Sequence, residues 1–236
     1  MQSFKKSEIT GTRVKKNMIK CCIFDLDGTL FNTLPTITHY VNLTLESYGL
    51  QHISERECCD MIGHGAKYLI DSALDYRGAH TLDYSVVLAE YNALYNSDTL
   101  YLTEPYPHIS EMLTALSDSG VLLGVLSNKP EDTTRNIISA FFPGTFASVH
   151  GGRAGVALKP SPDPLFSMMA ELGVSADEVA YLGDTGVDMS TGKAAGVALT
   201  VGVSWGFRER GELIDAGADV IADTPSDIVR EVLSRD

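Results

Sequence analysis

Two aspartates separated by one residue are the strongest candidates for chemistry in this sequence. Asp25 and Asp27 come directly after a mostly apolar run, residues 19–24, which has the composition of a buried strand. In an extended backbone, residues i and i+2 point the same way, so both carboxylates can face one cavity. Two bare carboxylates repel each other unless a cation lies between them, and Mg²⁺ prefers oxygen ligands. The pair therefore predicts a magnesium site, although Asp and Gly also occur together in surface turns.

A second acidic strand end supplies a partner for this pair. The stretch GDTGVD at 183–188 follows another apolar run, 179–182. Because ligands of open α/β sheets bind at the carboxyl ends of the strands, we expect Asp184 to join the metal site. Asp188 is expected to orient the site from behind. Helix N-capping is the structural alternative for these aspartates.

Hydrogen-bond donors and a cation follow at two further positions. Ser127 and Asn128 end the run 121–126, and Lys159 stands in a short loop next to Pro160. A hydroxyl, an amide and a compact ammonium suit phosphoryl oxygens, which need donors and positive charge when they lie beside several carboxylates. A simple turn and a solvated surface lysine are the alternatives.

These residues must be positioned by strands that alternate with helices. Apolar runs at 19–24, 121–126, 179–182, 198–201 and 220–221 are separated by helical patterns, one of them beginning at Asp163-Pro164 and ending at Gly173. This alternation predicts an α/β fold: a Rossmann-like parallel sheet with helices on both faces.

Residues 34–100 interrupt the alternation with helical patterns alone. They include a capping box formed by Ser54 and Glu57, and 104–107 is a stiff return linker with two prolines. We predict a flexible basic N-terminal extension at 1–17, an α/β core at 18–31 and 105–236, and an inserted all-helical cap at 32–104.

Composition limits the partners. The 236 residues carry 18 basic and 31 acidic side chains, a net charge of −13, with 44% hydrophobic residues. This balance excludes general disorder and argues against nucleic acid or an anionic membrane as partner. No signal-peptide core precedes residue 18, no run is long enough to span a bilayer, and the four cysteines form two adjacent pairs. We therefore expect reduced thiols in a cytoplasmic protein.

Four motifs, in order, resemble those of the haloacid dehalogenase superfamily of phosphotransferases. DLDGT at 25–29 resembles its first motif, Ser127 its second, Lys159 its third and GDTGVD at 183–188 its fourth. SNKP at 127–130, LKPSPDP at 158–164 and the stretch 203–219 are similar to phosphoglycolate-phosphatase-like members with a helical cap. Asn32 departs from the family, which often has Asp there; we expect a changed hinge contact without loss of chemistry.

The resemblance implies a mechanism for the same residues. Asp25 attacks phosphorus to give an aspartyl-phosphate, and Asp27 protonates the leaving alkoxide and then activates water. Ser127 and Lys159 hold phosphoryl oxygens. Mg²⁺ is bound by Asp25, the Asp27 carbonyl and Asp184, with Asp188 behind. The implied partner is a small phosphorylated metabolite.

The remaining substrate-binding residues follow from the same resemblance. Thr29 and Asn128 extend the first and second motifs, and Gly63, His64 and Gly65 resemble the substrate-facing loop of the cap. His64 and Lys67 are candidates for binding an acidic tail such as the carboxylate of phosphoglycolate, with a solvated helix start as the alternative.

Phosphoglycolate phosphatase is the activity best supported by the resemblance. A β-phosphoglucomutase-like phosphomutase, a pyrophosphatase and a phosphonoacetaldehyde hydrolase of the same fold are alternatives, the last with Lys67 as a possible cap lysine. From a different class, a receiver-like phospho-switch also uses carboxylates, a hydroxyl and a lysine. Against a receiver stand the long insertion before the second predicted strand of the sheet and the acidic strand end after the lysine.

Overall fold

A computed structural model describes residues 18–234, so the predicted extension at 1–17 lies outside the described residues. The strands are β1 Cys21–Phe24, β2 Phe31–Asn32, β3 Glu104–Pro105, β4 Leu122–Pro130, β5 Ser148–Gly152, β6 Val179–Gly183, β7 Leu199–Val203 and β8 Val220–Ala222. The helices are α1 Leu34–Ser47, α2 Glu55–Cys59, α3 Ala66–Tyr76, α4 Tyr84–Ser97, α5 Ile109–Asp118, α6 Glu131–Phe141, α7 Asp163–Leu172, α8 Gly186–Ala195, α9 Arg210–Asp215 and α10 Pro225–Leu233, with a 3₁₀ turn at Ala176–Glu178.

Six strands form one parallel sheet in the order β5-β4-β1-β6-β7-β8, which confirms the predicted α/β class. The central strand β1 pairs with β4 and β6, and Phe24 lies level with Val125 and Leu182. The chain therefore leaves β1 and β6 at the same edge of the sheet, beside the last residues of β4. Asp25 and Asp27 follow β1, Asp184 follows β6, and Ser127 and Asn128 lie near the end of β4, whereas Lys159 lies in the loop between β5 and α7.

Alternate residues of β1 pack into cores on opposite faces of the sheet. Cys22 and Phe24 belong to a core with α5, α6 and α10, whereas Cys21 and Ile23 pack with α7 and α8. Helices thus cover both faces, as a strand of apolar residues without alternation requires.

All four cysteines of the chain are free thiols.

Helices α1–α4, which we call the cap helices, have a separate hydrophobic core. Its aromatic centre is formed by Tyr40, Tyr91 and Tyr95, all buried. Ser54 and Glu57 form the predicted capping box at the start of α2.

A two-stranded antiparallel ribbon, β2 with β3, stands where the chain leaves the sheet for the cap helices and where it returns. Asn32 pairs with Glu104 in this ribbon, so the predicted return linker begins as a short strand. The ribbon and β5 were not predicted. Strand β5 contains Ser, His and two glycines, and it lacks the apolar run by which the other sheet strands are recognised.

Across residues 18–234, every helix is too short or too polar to span a membrane.

Candidate active site

Asp25, directly after β1, lies against the ammonium of Lys159. The Nζ atom of Lys159 is 2.7 Å from Asp25 Oδ1 and 2.7 Å from Asp188 Oδ1, and all three side chains are buried. Burial, opposed by Lys159 and reinforced by Asp188, raises the pKa of Asp25 to about 7. Burial also works to lower the pKa of Lys159, but Asp188 and Asp25 raise it well above its usual value. Lys159 therefore carries its charge at neutral pH.

Asp184, directly after β6, completes a buried acidic cluster. Its Oδ2 accepts a hydrogen bond from the Phe207 N–H at 2.8 Å, and its Oδ1 accepts one from the Thr29 hydroxyl at 3.2 Å. One carboxylate oxygen each from Asp25, Asp184 and Asp188 lie within 4.8 Å of one another. Burial, together with the charges of Asp188 and Asp25, raises the pKa of Asp184 well above its usual value.

The charge of this cluster fits a divalent cation. When all three carboxylates are ionised, the single ammonium of Lys159 leaves two uncompensated negative charges in a buried place, which is costly without a counter-ion. Oxygen-only donors match Mg²⁺. Both oxygens of Asp188 already accept hydrogen bonds, Oδ1 from Lys159 and Oδ2 from the Thr185 hydroxyl at 2.6 Å, so Asp188 orients its neighbours.

Asp27 has a different partner from Asp25, although both line the same cavity. The Lys129 ammonium lies 3.1 and 3.3 Å from the two carboxylate oxygens of Asp27. It also lies 4.5 Å from the centre of the Tyr95 ring, at the distance of a cation–π contact. Neither Lys129 nor Tyr95 was predicted as a site residue; the only signal for Lys129 was its place in the SNKP motif.

The residues of the predicted phosphoryl subsite divide into two groups. Ser127 lines the cavity beside Asp25 and Lys159. Asn128 also lines the cavity and ties two loops together: its amide donates to the carbonyls of Gly63 and Lys159, and its Oδ1 accepts from the Lys159 N–H. Thr29 is buried and hydrogen bonds Asp184. Asn128 and Thr29 thus support other site residues.

A cavity of about 60 Å³ lies between the sheet edge and the cap helices. Its sheet side presents Asp25, Asp27, Ser127, Lys129 and Lys159. Its cap side is mainly apolar and aromatic, lined by Ile37, Ile62, Leu69, Tyr91 and Tyr95, with the amides of Asn92 and Asn96. The cavity therefore has a charged end, where the predicted chemistry is, and a less polar end.

The residues of the predicted cap loop face two different places. Gly63 and Gly65 line the cavity. His64 and Lys67 instead line a separate, open groove, together with Arg153. The His64 ring packs 4.8 Å from Tyr68, and Lys67 is exposed and ion-paired with Asp71. The structure thus brings the glycines of the predicted loop to the site and leaves its two basic residues outside.

A loop after β7 joins Asp184 to the cap helices. Phe207 donates its N–H to Asp184 and packs its ring against the core of the cap helices. Arg208 donates to the carbonyls of Cys59 and Ile62, each at 2.8 Å. This connection, made by residues far apart in sequence, was not predicted.

Comparison with known proteins agrees with this arrangement. The profile of haloacid dehalogenase-like hydrolases matches residues 22–202. The chain is 31% identical to phosphoglycolate phosphatase of Haemophilus influenzae, covering 85% of this chain and 92% of the relative. It is 36% identical to phosphoglycolate phosphatase of Rhodospirillum rubrum, covering 80% and 81%. A crystal structure of a predicted phosphoglycolate phosphatase from Haemophilus somnus superposes with a TM-score of 0.84 at 28% identity, covering 90% of this chain and 97% of that one.

Proposed function

This chain belongs to the haloacid dehalogenase-like hydrolase family, and on that premise we propose that it is a Mg²⁺-dependent phosphatase of small phosphomonoesters. We propose phosphoglycolate as the substrate, since the similar proteins are named for it, and the cytoplasm as the place of action. The observation that carries the proposal is that Asp25 and Lys159, which meet on the wall of a small cavity, lie beside the buried carboxylate of Asp184.

The first step is attack by Asp25. A carboxylate oxygen of Asp25 forms a bond to phosphorus while the bond from phosphorus to the ester oxygen breaks. Lys159 holds Asp25 in place and offers positive charge to the phosphoryl oxygens. The Ser127 hydroxyl, also on the cavity wall, donates to the same group. These contacts offset the repulsion between a carboxylate and a phosphate dianion.

Asp27 moves the protons. It gives a proton to the departing alkoxide and takes one from the water that attacks the aspartyl-phosphate, releasing inorganic phosphate and restoring Asp25. Both aspartates line the cavity, so one substrate position serves both roles.

Asp25, the backbone carbonyl of Asp27 and Asp184 would hold Mg²⁺, which when bound neutralises charge on the phosphoryl group. Asp188 fixes Lys159 and stabilises the turn of Thr185. The predicted cap, residues 32–104, excludes water and contacts the leaving group, and the predicted core supplies the reacting groups.

Lys67 bears on one alternative of the same fold. A phosphonoacetaldehyde hydrolase needs a lysine in the cap that reaches the substrate, and the exposed ammonium of Lys67 is paired with Asp71 outside the cavity. A role for His64 and Lys67 in holding the acidic tail of the substrate stays a prediction. Assays of His64→Ala and Lys67→Met variants with phosphoglycolate and the other phosphoesters below test it.

Phosphate release from a substrate panel tests the proposal. The purified protein is assayed with phosphoglycolate, a sugar phosphate, pyrophosphate and phosphonoacetaldehyde, each with Mg²⁺ and with EDTA. We expect release from phosphoglycolate only with Mg²⁺. Transfer between positions of a sugar phosphate without release of phosphate would indicate a mutase instead, and inactivity toward every phosphoester would contradict the enzyme proposal.

The nucleophile has its own test. Asp25→Asn should lower turnover on the order of 10³-fold or more, since it removes the attacking oxygen, while the protein remains folded. Asp118→Asn, an exposed substitution at the end of α5, is the matched control and should leave turnover unchanged. Near-normal turnover of Asp25→Asn would remove Asp25 from this role.

A further inference from the structure

Lys129 is a buried cation that the proposed mechanism does not use. Two lysines among the described residues are buried, Lys129 and Lys159, and Lys159 is engaged by Asp25 and Asp188. The Lys129 side chain is only 6% exposed, yet it lines the cavity. Burying an ammonium costs free energy unless its donors are paired. An ammonium has three N–H donors, so the contact with Asp27 leaves at least one of them without an acceptor among residues 18–234.

Tyr95 places its ring against this ammonium and brings a second donor to the cavity. Its ring lies under the Lys129 Nζ atom at 4.5 Å, and Tyr95 also lines the cavity. Its hydroxyl is buried and has no hydrogen-bond partner in the described part of the chain. Buried polar groups are usually paired, so an unpaired hydroxyl on a ring that the ammonium contacts indicates a missing acceptor. A carboxylate, with two acceptor oxygens, fits both donors.

The position of Lys129 limits how far this acceptor lies from the reacting atoms. Asp27, which in the proposed mechanism meets the leaving oxygen, is 3.1 Å from the Lys129 Nζ atom. With hydrogen bonds of about 3 Å on each side, an anion on Lys129 can lie as close to the ester oxygen as one or two carbons would place it. The cavity of about 60 Å³ has room for a short leaving group of this kind.

We propose that Lys129 and Tyr95 form a subsite for the carboxylate of the leaving group, and that they select short phosphomonoesters bearing a carboxylate next to the ester carbon. This inference rests on the proposed phosphatase function and names the residues that would recognise the carboxylate of its proposed substrate. The apolar residues on the cap side of the cavity, Ile37, Ile62 and Leu69, exclude water from this contact.

A matched substrate pair tests the subsite. Phosphoglycolate and its carboxamide, 2-phosphoglycolamide, have the same shape and differ in the charge of the tail. In the wild-type protein with Mg²⁺, we expect kcat/KM to favour the acid roughly 10- to 100-fold, the value of one charged hydrogen-bonded contact. Lys129→Met should abolish this ratio, Lys129→Arg should retain most of it, and Tyr95→Phe should lower it roughly 3- to 10-fold. Lys20→Met, at an exposed lysine paired with Glu178, should leave the ratio and both rates unchanged.

The ratio separates this role from a purely positioning one. If Lys129 only orients Asp27, Lys129→Met slows both substrates by the same factor, the ratio stays, and the subsite is overturned. The wild-type ratio needs no variant, so equal hydrolysis of acid and amide overturns the subsite even if Lys129→Met does not fold. Failure to hydrolyse either compound, or any other phosphoester, would instead overturn the proposed function.

Discussion

Gly28 shares its space with Asp184. Its backbone has φ of +82°, and a Cβ at this position would lie 2.1 Å from Asp184 Oδ2. A side chain here meets both the strain of the left-handed backbone and a direct clash with a carboxylate of the acidic cluster. The turn after β1 therefore requires glycine for two reasons: its backbone is left-handed, and Asp184, which follows β6, approaches it closely.

Gly28→Ala should separate these two effects when compared with Gly155→Ala. Gly155 has a similar φ of +77°, and no atom of the described residues lies within 4 Å of the position its Cβ would take, so its variant carries the backbone strain alone. We expect Gly155→Ala to lose about 1–2 kcal/mol of unfolding free energy, measured by urea denaturation, and Gly28→Ala to lose more because of the added clash. Only Gly28→Ala should also lose Mg²⁺-dependent turnover, on the order of 100-fold or more. Equal turnover in both variants would show that Asp184 can move without harm.

The residues of the site differ in how far sequence could predict them. Asp25, Asp27 and Asp184 follow buried strands, so local pattern and sheet topology together indicate one edge. Lys129 is adjacent to residues of the second motif, but its partners, Asp27 and Tyr95, are distant in sequence. A lysine at the end of a strand is usually solvated, whereas this one contacts Tyr95 of α4 and lies in a cavity under the cap helices.

At the level of elements, the loop after β7 connects the acidic cluster with the cap helices. Phe207 contacts Asp184 through its backbone, and the next residue, Arg208, donates to two carbonyls at and after the end of α2, those of Cys59 and Ile62. Charged hydrogen bonds to carbonyls left over at a helix end are among the stronger ones. Arg208 thus holds the cap helices in the position that forms the cavity.

Arg208→Met should loosen this contact while leaving the reacting groups in place. We expect kcat/KM for phosphoglycolate to fall about 10-fold, mainly through KM, because the two lost contacts are worth a few kcal/mol before the cap readjusts. Amide hydrogen exchange at 59–65 should become faster. Arg210→Met is the matched control: Arg210 is exposed and paired with Asp223, so neither KM nor exchange at 59–65 should change. An unchanged KM in Arg208→Met would contradict the holding role.

Glu57 makes the start of α2 sensitive to acid. The Tyr76 hydroxyl, followed by the backbone and side chain of Ser54, lowers the pKa of Glu57 to about 2. A carboxylate whose pKa is lower in the folded protein stabilises the fold above its unfolded value, about 4.5, and loses this contribution as the pH falls toward 2.

Glu57→Gln should therefore destabilise the protein at pH 6 and have a smaller effect at each step below pH 4.5. The measurement is the urea midpoint of variant and wild type between about pH 6 and pH 3. Glu55→Gln, in the same first turn but outside the capping box, is the control for replacing an acidic residue at this helix start. A difference between wild type and Glu57→Gln that stays constant over this whole range would argue against the assigned pKa.

The elements recognised from sequence are those with strong local signals. The capping box of α2, and helix α7 with Pro164 in its first turn and Gly173 at its end, agree with the structure because these signals are local. Strand β5 and the β2–β3 ribbon are short and are fixed by partners elsewhere in the chain, Val125 for β5 and Glu104 for β2. Pairing of this kind leaves no periodicity to detect.

For the whole molecule, the acidic cluster links metal binding to global stability. Asp184 is fully buried, and burial with the nearby charges of Asp188 and Asp25 raises its pKa well above the usual range. When ionised at neutral pH without a counter-ion, such a group opposes folding. A cation that binds only the folded state offsets this effect. At a concentration of roughly 100 times its dissociation constant, it adds about 2.7 kcal/mol to the free energy of unfolding.

Asp184→Asn should therefore change the stability in opposite directions with and without metal. In EDTA we expect the variant to be at least as stable as the wild type, because the amide removes one buried charge and can still accept from the Phe207 N–H. With saturating Mg²⁺ the wild type should gain about 2–3 kcal/mol and the variant little, so that the order reverses. Thermal denaturation of both proteins under the two conditions measures this, with Asp118→Asn following the wild type throughout. If Mg²⁺ stabilises Asp184→Asn as much as the wild type, the ion binds elsewhere, and the acidic cluster at the sheet edge is not the metal site that the proposed chemistry requires.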